Sequence, residues 1–153
     1  MVTIRLIYSK SKLPLSPLIQ MVTWSEWSHV GIMVGDAVIE STWSHGGVKE
    51  TPLDVFLERS SDWIIKEYQC HSRQAIIDAA RTQIGKPYDK TGLVGILMRD
   101  RNWQEDDSWF CSELTAWAFA AGGTPLFMLE DGYRITPQNI YMLWSVVVDR
   151  KPK

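Results

Sequence analysis

A strand, a two-residue turn and a second strand are spelled out between residues 29 and 42, and they constrain the rest of the chain. His29-Val30-Gly31-Ile32-Met33-Val34 and Ala37-Val38-Ile39-Glu40-Ser41-Thr42 are largely apolar and rich in β-branched residues, with Gly35-Asp36 between them. A glycine-containing two-residue loop turns twisted strands back on each other as a hairpin. If Val34 pairs with Ala37, Gly31 falls opposite Glu40. Side chains alternate along a strand, so His29 and Gly31 share a face. Glu40 is then a diagonal same-face neighbour of His29. The small residue at position 31 leaves room for the two side chains to meet. Thr42, directly across from His29 in this register, is the alternative partner.

The remaining patterning extends this start. Thr3 to Tyr8 and Trp63 to Tyr68 read as strands, and Trp144 to Asp149 as a closing strand. Pro14 to Trp24 has the spacing of a short helix. Thr51-Pro52-Leu53-Asp54 predicts a helix start with a Thr cap, Pro in the first turn and an early acid. Ser72 is the expected cap of a helix carrying Ile76, Ala79, Ala80 and Ile84, which Gly85 and Pro87 stop. Gly92 to Met98 fits a buried helix or a strand, and Arg99 to Asp107 is a polar loop. A helix beginning at Cys111, with Asp107 or Ser108 as candidate caps, ends at Gly122-Gly123, and Thr136-Pro137 opens another. Mixed helices and strands around one tight hairpin predict an α+β fold with a largely antiparallel sheet. At 153 residues, 1–153 is expected to be a single domain.

Composition removes several functions. With 16 basic and 18 acidic residues and a net charge of -2, there is no basic footprint for nucleic acid. No apolar run is long enough to be a transmembrane segment. The N-terminus lacks the pattern of a signal peptide. The default location is therefore cytoplasmic, unless a non-classical route such as phage lysis releases the protein. Cys70 and Cys111 are the only cysteines, so two free thiols or one bridge are possible. No Cys-x-x-Cys or His-Glu-x-x-His spacing occurs among the two Cys and three His residues, so neither a zinc site nor a cofactor is expected. Eight tryptophans fit either a core or an aromatic-lined cleft. Oligomeric state is left open.

Chemistry concentrates on two residues. Cys111 starts an apolar helical run, and a thiol at a helix start lies at the positive end of the helix dipole, which favours its thiolate. An imidazole beside it can take the thiol proton and hold it for a leaving group. His29 is the candidate because a strand fixes it. His45 lies in a Ser-His-Gly-Gly turn, and His71 at a strand end beside Cys70. Glu113 is two positions beyond Cys111, about 200° round the helix, and reads as a charge at the helix N-terminus rather than a base. For a lone cysteine or strand histidine the plain reading is a buried or structural residue.

Trp27-Ser28-His29-Val30-Gly31-Ile32, Val38-Ile39-Glu40, Gly46-Gly47-Val48, Ile84-Gly85-Lys86-Pro87-Tyr88-Asp89, Trp109-Phe110-Cys111-Ser112-Glu113-Leu114 and Ile135-Thr136-Pro137 follow one another in this order. Their order resembles the circularly permuted papain-like hydrolases of the NlpC/P60 superfamily, in the YiiX/YaeF-like branch, from about Ser16 to Thr136. The histidine strand precedes the cysteine helix, as in the permuted kind. The resemblance implies a papain-like fold, with the nucleophile helix packed against an antiparallel sheet. It implies Cys111 as nucleophile, His29 as base and, by position, Glu40 as the residue that orients the imidazole. Tyr88 is placed near the cysteine in this family. Trp27 and Trp109 flank the same motifs. These three are the candidate substrate contacts, with core packing as the plain alternative for each.

The function this implies is a cysteine hydrolase that cleaves an amide bond, in a peptide or cell-wall-type peptide, through a thioester. Its partner would be a small peptide or acyl substrate. A lipid or thioester acyl hydrolase or acyltransferase of the same fold, and a non-catalytic binding module, are the competing readings. The acyltransferase-like branch carries Asn before its Cys and Glu-His after it, where this chain has Phe110 and Ser112-Glu113.

Overall fold

Strands β2 (His29–Val34) and β3 (Ala37–Thr42) form the hairpin in the expected register, with Val34 opposite Ala37 and Ile32 opposite Ile39. Gly35 takes φ +57° in the turn, a conformation that costs glycine little. The structure, a computed structural model, describes residues 1–12, 25–42, 44, 46–88, 110–128 and 135–153. The helix expected over Pro14–Trp24, the segment Gly92–Met98, the loop Arg99–Asp107 and the caps Asp107 and Ser108 lie outside the described residues.

Around the hairpin, β1 (Val2–Ser11), β4 (Gly47–Pro52), β5 (Ser60–Cys70) and β6 (Val146–Arg150) complete a six-stranded sheet. Its order is β4-β3-β2-β1-β5-β6, and every neighbouring pair is antiparallel. Four helices are described: α1 (Leu53–Glu58), α2 (Arg73–Thr82), α3 (Cys111–Ala121) and α4 (Pro137–Tyr141). The chain is thus α+β.

Local chemistry explains most of the boundaries. Ser72 caps α2, its hydroxyl oxygen accepting the Ala75 N–H at 3.2 Å. Thr136 caps α4 with Pro137 at its first position, and the Asn139 carboxamide returns a bond to the Thr136 N–H at 2.8 Å. The start of α1 differs from the expectation. Pro52 is its N-cap residue and gives no side-chain cap. Thr51 belongs to β4, and its hydroxyl is spent on a carboxylate inside the sheet.

The two faces of the sheet carry separate apolar clusters. Leu6, Tyr8, Val30, Ile32 and Ile64 pack with Ile76 and Ala80 of α2, with Leu114, Ala118 and Phe119 of α3, and with Ile140 of α4. Ile7, Val38 and Ile65 join Phe56 of α1 in a smaller cluster, as alternation along the strands requires. Each fully buried large side chain contributes roughly 1.5–3 kcal/mol of transfer free energy. Helix α3 packs against β2, β3 and α2. Cys111 to Ala116, Ala118 and Phe119 are all buried, so this helix is enclosed round most of its circumference. That enclosure fixes where its N-terminus points.

Candidate active site

Glu40 is the centre of the polar cluster. It is 0% exposed, and a buried carboxylate must be paired. Its Oε2 lies 2.6 Å from His29 Nε2. Its Oε1 accepts the Thr51 hydroxyl at 2.6 Å and the Arg59 guanidinium. Three elements therefore converge on one carboxylate: β2 through His29, β4 through Thr51, and the residue after α1 through Arg59. Phe56 of α1 backs the cluster. Its ring stacks on the His29 ring with centroids 5.8 Å apart, and the Arg59 guanidinium lies over it at 5.3 Å. The space at position 31 matters as the register implies. A Cβ there would stand 2.4 Å from Val38 Cγ1 and 3.5 Å from Glu40 Cβ.

Cys111 is the first residue of α3 and is 2% exposed. Phe110 is the N-cap residue. Its N–H donates to the Glu113 carboxylate at 3.4 Å, so Glu113 closes half of a capping box. Cys111 is among the groups that act on the His29 imidazole. Burial alone would lower the His29 pKa. The Cys111 interactions and the Glu40 carboxylate outweigh it and raise the pKa from 6.5 to about 10. Burial would raise the Glu40 pKa. The His29 hydrogen bond and charge, then Arg59 and Thr51, outweigh it and lower the pKa from 4.5 to about 2. A carboxylate and a sulfur thus act together to favour the charged form of one imidazole.

The glycine motifs meet beside this site. Gly47, at φ +143°, lies against the backbone of Lys86 and Pro87, just before Tyr88. Val48 N–H donates to Lys86 O at 2.9 Å, and Gly85 N–H donates to Val48 O at 2.9 Å. Tyr88 is buried, and its ring lies 5.9 Å from that of Phe110, the residue before Cys111. The Ser112 hydroxyl donates to Ile135 O, tying α3 to the start of α4.

Trp27 is buried in the large cluster, its ring 6.5 Å from Tyr8 and 5.9 Å from Tyr141. Trp109 and His45 lie outside the described residues. His71 is exposed, and its backbone N–H bonds to Thr124 Oγ1 at 3.0 Å. Cys70 and Cys111 are both free thiols. Sequence reasoning missed Thr51 and Arg59. Thr51 sits in a pattern that predicts a helix cap. The only signal for Arg59 is the need of a buried Glu40 for a second cation.

The family model for the permuted papain-like amidase enzymes, YaeF/YiiX, C92 family, matches residues 5–130. No curated protein matches the chain in sequence. A solved structure of metalloprotein yiiX from Escherichia coli O157:H7, DUF1105, aligns with a TM-score of 0.73 at 22% identity, over 97% of each chain. That likeness, together with the family match, shows the papain-like fold. The metal in that protein's description has no counterpart in the donors seen here. Among the described residues no group of three or more His, Cys, Asp or Glu could hold a metal ion. Both oxygens of Glu40 are already taken by protein donors. The histidine strand ahead of the cysteine helix, and the match over residues 5–130, lead to one assignment: the chain belongs to the C92 family of permuted papain-like amidase enzymes, of the YaeF/YiiX type.

Proposed function

We propose that this enzyme hydrolyses an amide bond in a peptide or cell-wall-type peptide, with Cys111 as nucleophile, His29 as general base and acid, and Glu40 orienting His29. The observation that carries the reading is the buried pair of His29 and Glu40 at 2.6 Å, with Cys111 among the groups that raise the His29 pKa. His29 takes the Cys111 proton, and the thiolate attacks the amide carbonyl carbon. The backbone N–H of Cys111, one of the opening N–H groups of α3 without an intrahelical acceptor, can donate to the developing oxyanion. As the C–N bond breaks, the imidazolium gives its proton to the departing amine. A water then attacks the thioester with His29 as base. The acyl group leaves as a carboxylic acid, and the sulfur is regenerated. Tyr88, beside Phe110, is suited to form a wall of the cleft.

The test is the rate of iodoacetamide labelling of Cys111 against pH. A reactive Cys111 near neutrality, slowed at least about tenfold by His29→Ala, is the expected result. Labelling like that of an ordinary thiol, unchanged by His29→Ala, rejects the catalytic reading in favour of a binding module. Peptide-amide and fatty-ester probes then decide the bond. Turnover confined to esters would point to the acyl hydrolase or acyltransferase reading instead.

A further inference from the structure

We infer that Arg59 is a positioning residue whose charge makes the Cys111 thiolate paired with the His29 imidazolium the electrically neutral state of the buried cluster. The inference rests on Cys111 as nucleophile, as proposed above. Arg59 lies just beyond α1 and is the C-cap residue of that helix. Its backbone carbonyl accepts the Lys12 N–H at 3.0 Å. Its guanidinium lies over the Phe56 ring and donates to Glu40 Oε1. The side chain is 25% exposed, while Glu40 is fully enclosed. Arg59 thus reaches the site from the connection between α1 and β5.

The argument is a count of charges. Net charge in a buried site is expensive, so the populated state of such a cluster is close to neutral. With His29 as the only cation, Glu40 alone would balance it. The neutral state would then be carboxylate, imidazolium and a protonated Cys111 thiol. Arg59 changes the sum. Glu40 balances Arg59, and the His29 imidazolium is left for a second anion, which the Cys111 thiolate supplies. Other charged groups lie near these elements. Lys49 stands across from Glu40 on β4. The Glu113 carboxylate on α3 accepts the Phe110 N–H. Lys12 and Glu58 beside Arg59 are exposed. None of these joins the hydrogen bonds described for Glu40.

The experiment is the pH profile of Cys111 alkylation by iodoacetamide in a Cys70→Ala background, with folding followed by circular dichroism. Arg59→Met is expected to raise the labelling midpoint by about one unit or more, and Arg59→Lys to leave it near the parent value. Arg59→Met combined with Glu40→Gln removes one charge of each sign and is expected to bring the midpoint back toward the parent. If Arg59→Met does not fold, the double variant decides: a low midpoint supports the inference and an ordinary one overturns it. A merely structural role would lower thermal stability and leave the midpoint unmoved, which overturns the inference. The two readings fail separately. An ordinary midpoint in the parent protein ends the nucleophile reading and this inference with it. A low parent midpoint that Arg59→Met does not move overturns the role of Arg59 alone.

Discussion

Glu40 Oε2 meets His29 Nε2 at 2.6 Å across a hairpin of two short strands, eleven positions apart in the chain. Neither belongs to the segment that carries Cys111. The pair is therefore set by hairpin register.

Glu40→Gln is the most direct perturbation. It keeps the size of the side chain and removes its charge. Glu40 is one of the two partners that raise the His29 pKa to about 10. The variant is expected to lower that pKa by about one unit or more. The alkaline limb of the activity profile should move to lower pH by the same amount. Ring-carbon or ring-nitrogen chemical shifts of labelled histidine against pH give the His29 value. An unmoved titration would mean that Glu40 does not act on the imidazole.

The same pair makes stability depend on pH in a window with two edges. The Glu40 pKa is lowered from 4.5 to about 2. Its contribution is fully present above pH 4.5 and is lost as pH falls through about 2. The His29 pKa is raised from 6.5 to about 10. Its contribution is fully present below pH 6.5 and is lost as pH rises through about 10. Both are complete between pH 4.5 and 6.5. The Tm difference between the wild type and a His29→Gln/Glu40→Gln double variant should form a plateau there and shrink on both sides. A difference that is flat from pH 2 to pH 10 would contradict the coupling.

Thr51 tests the part of the site that sequence reasoning misplaced. Thr51→Val keeps the shape and removes the hydroxyl that donates to Glu40 Oε1 at 2.6 Å. The loss of a buried hydrogen bond to a charged group is expected to cost about 1–3 kcal/mol. Thr51→Ser, which keeps the donor, should cost less. Urea unfolding midpoints of the two variants make the comparison. A loss confined to Thr51→Ser would assign the effect to the methyl group.

How far the sequence speaks can be read from these residues. Strand alternation and a two-residue turn place Glu40 beside His29, because register in a tight hairpin is decided locally. The helix start at Cys111 is equally local, although its N-cap is Phe110 with support from Glu113, and no side-chain cap is used. Thr51 and Arg59 are different. A Thr-Pro pair before an apolar turn is a helix-start pattern, and Pro52 is in fact the N-cap of α1. The Thr51 hydroxyl nevertheless goes to Glu40, because the unpaired lone pairs of a buried carboxylate outweigh a helix cap. Arg59 has no local signature at all. It is selected by a charge that only the folded sheet buries.

Gly47→Ala probes the join between the glycine motifs and the site. Gly47 has φ +143°, a conformation that residues with a Cβ rarely adopt. A Cβ at that position would stand 2.0 Å from Lys86 O and 2.9 Å from Pro87 Cα, which are backbone atoms that cannot swing aside. The clash acts on the segment that hydrogen-bonds Val48 to Lys86 and Gly85 and that carries Tyr88 to within 5.9 Å of the Phe110 ring. Backbone strain and lost pairing together are expected to cost about 3 kcal/mol or more. The turn from Gly85 to Tyr88 would be pushed away from β4, and the wall it gives the candidate cleft would move with it. Amide hydrogen exchange reads this directly: the Val48 and Gly85 N–H groups should lose protection while those of β1 and β5 keep theirs. If Gly47→Ala leaves the urea midpoint and the Val48 exchange rate at wild-type values, the close approach of β4 to Lys86 does not exist in solution.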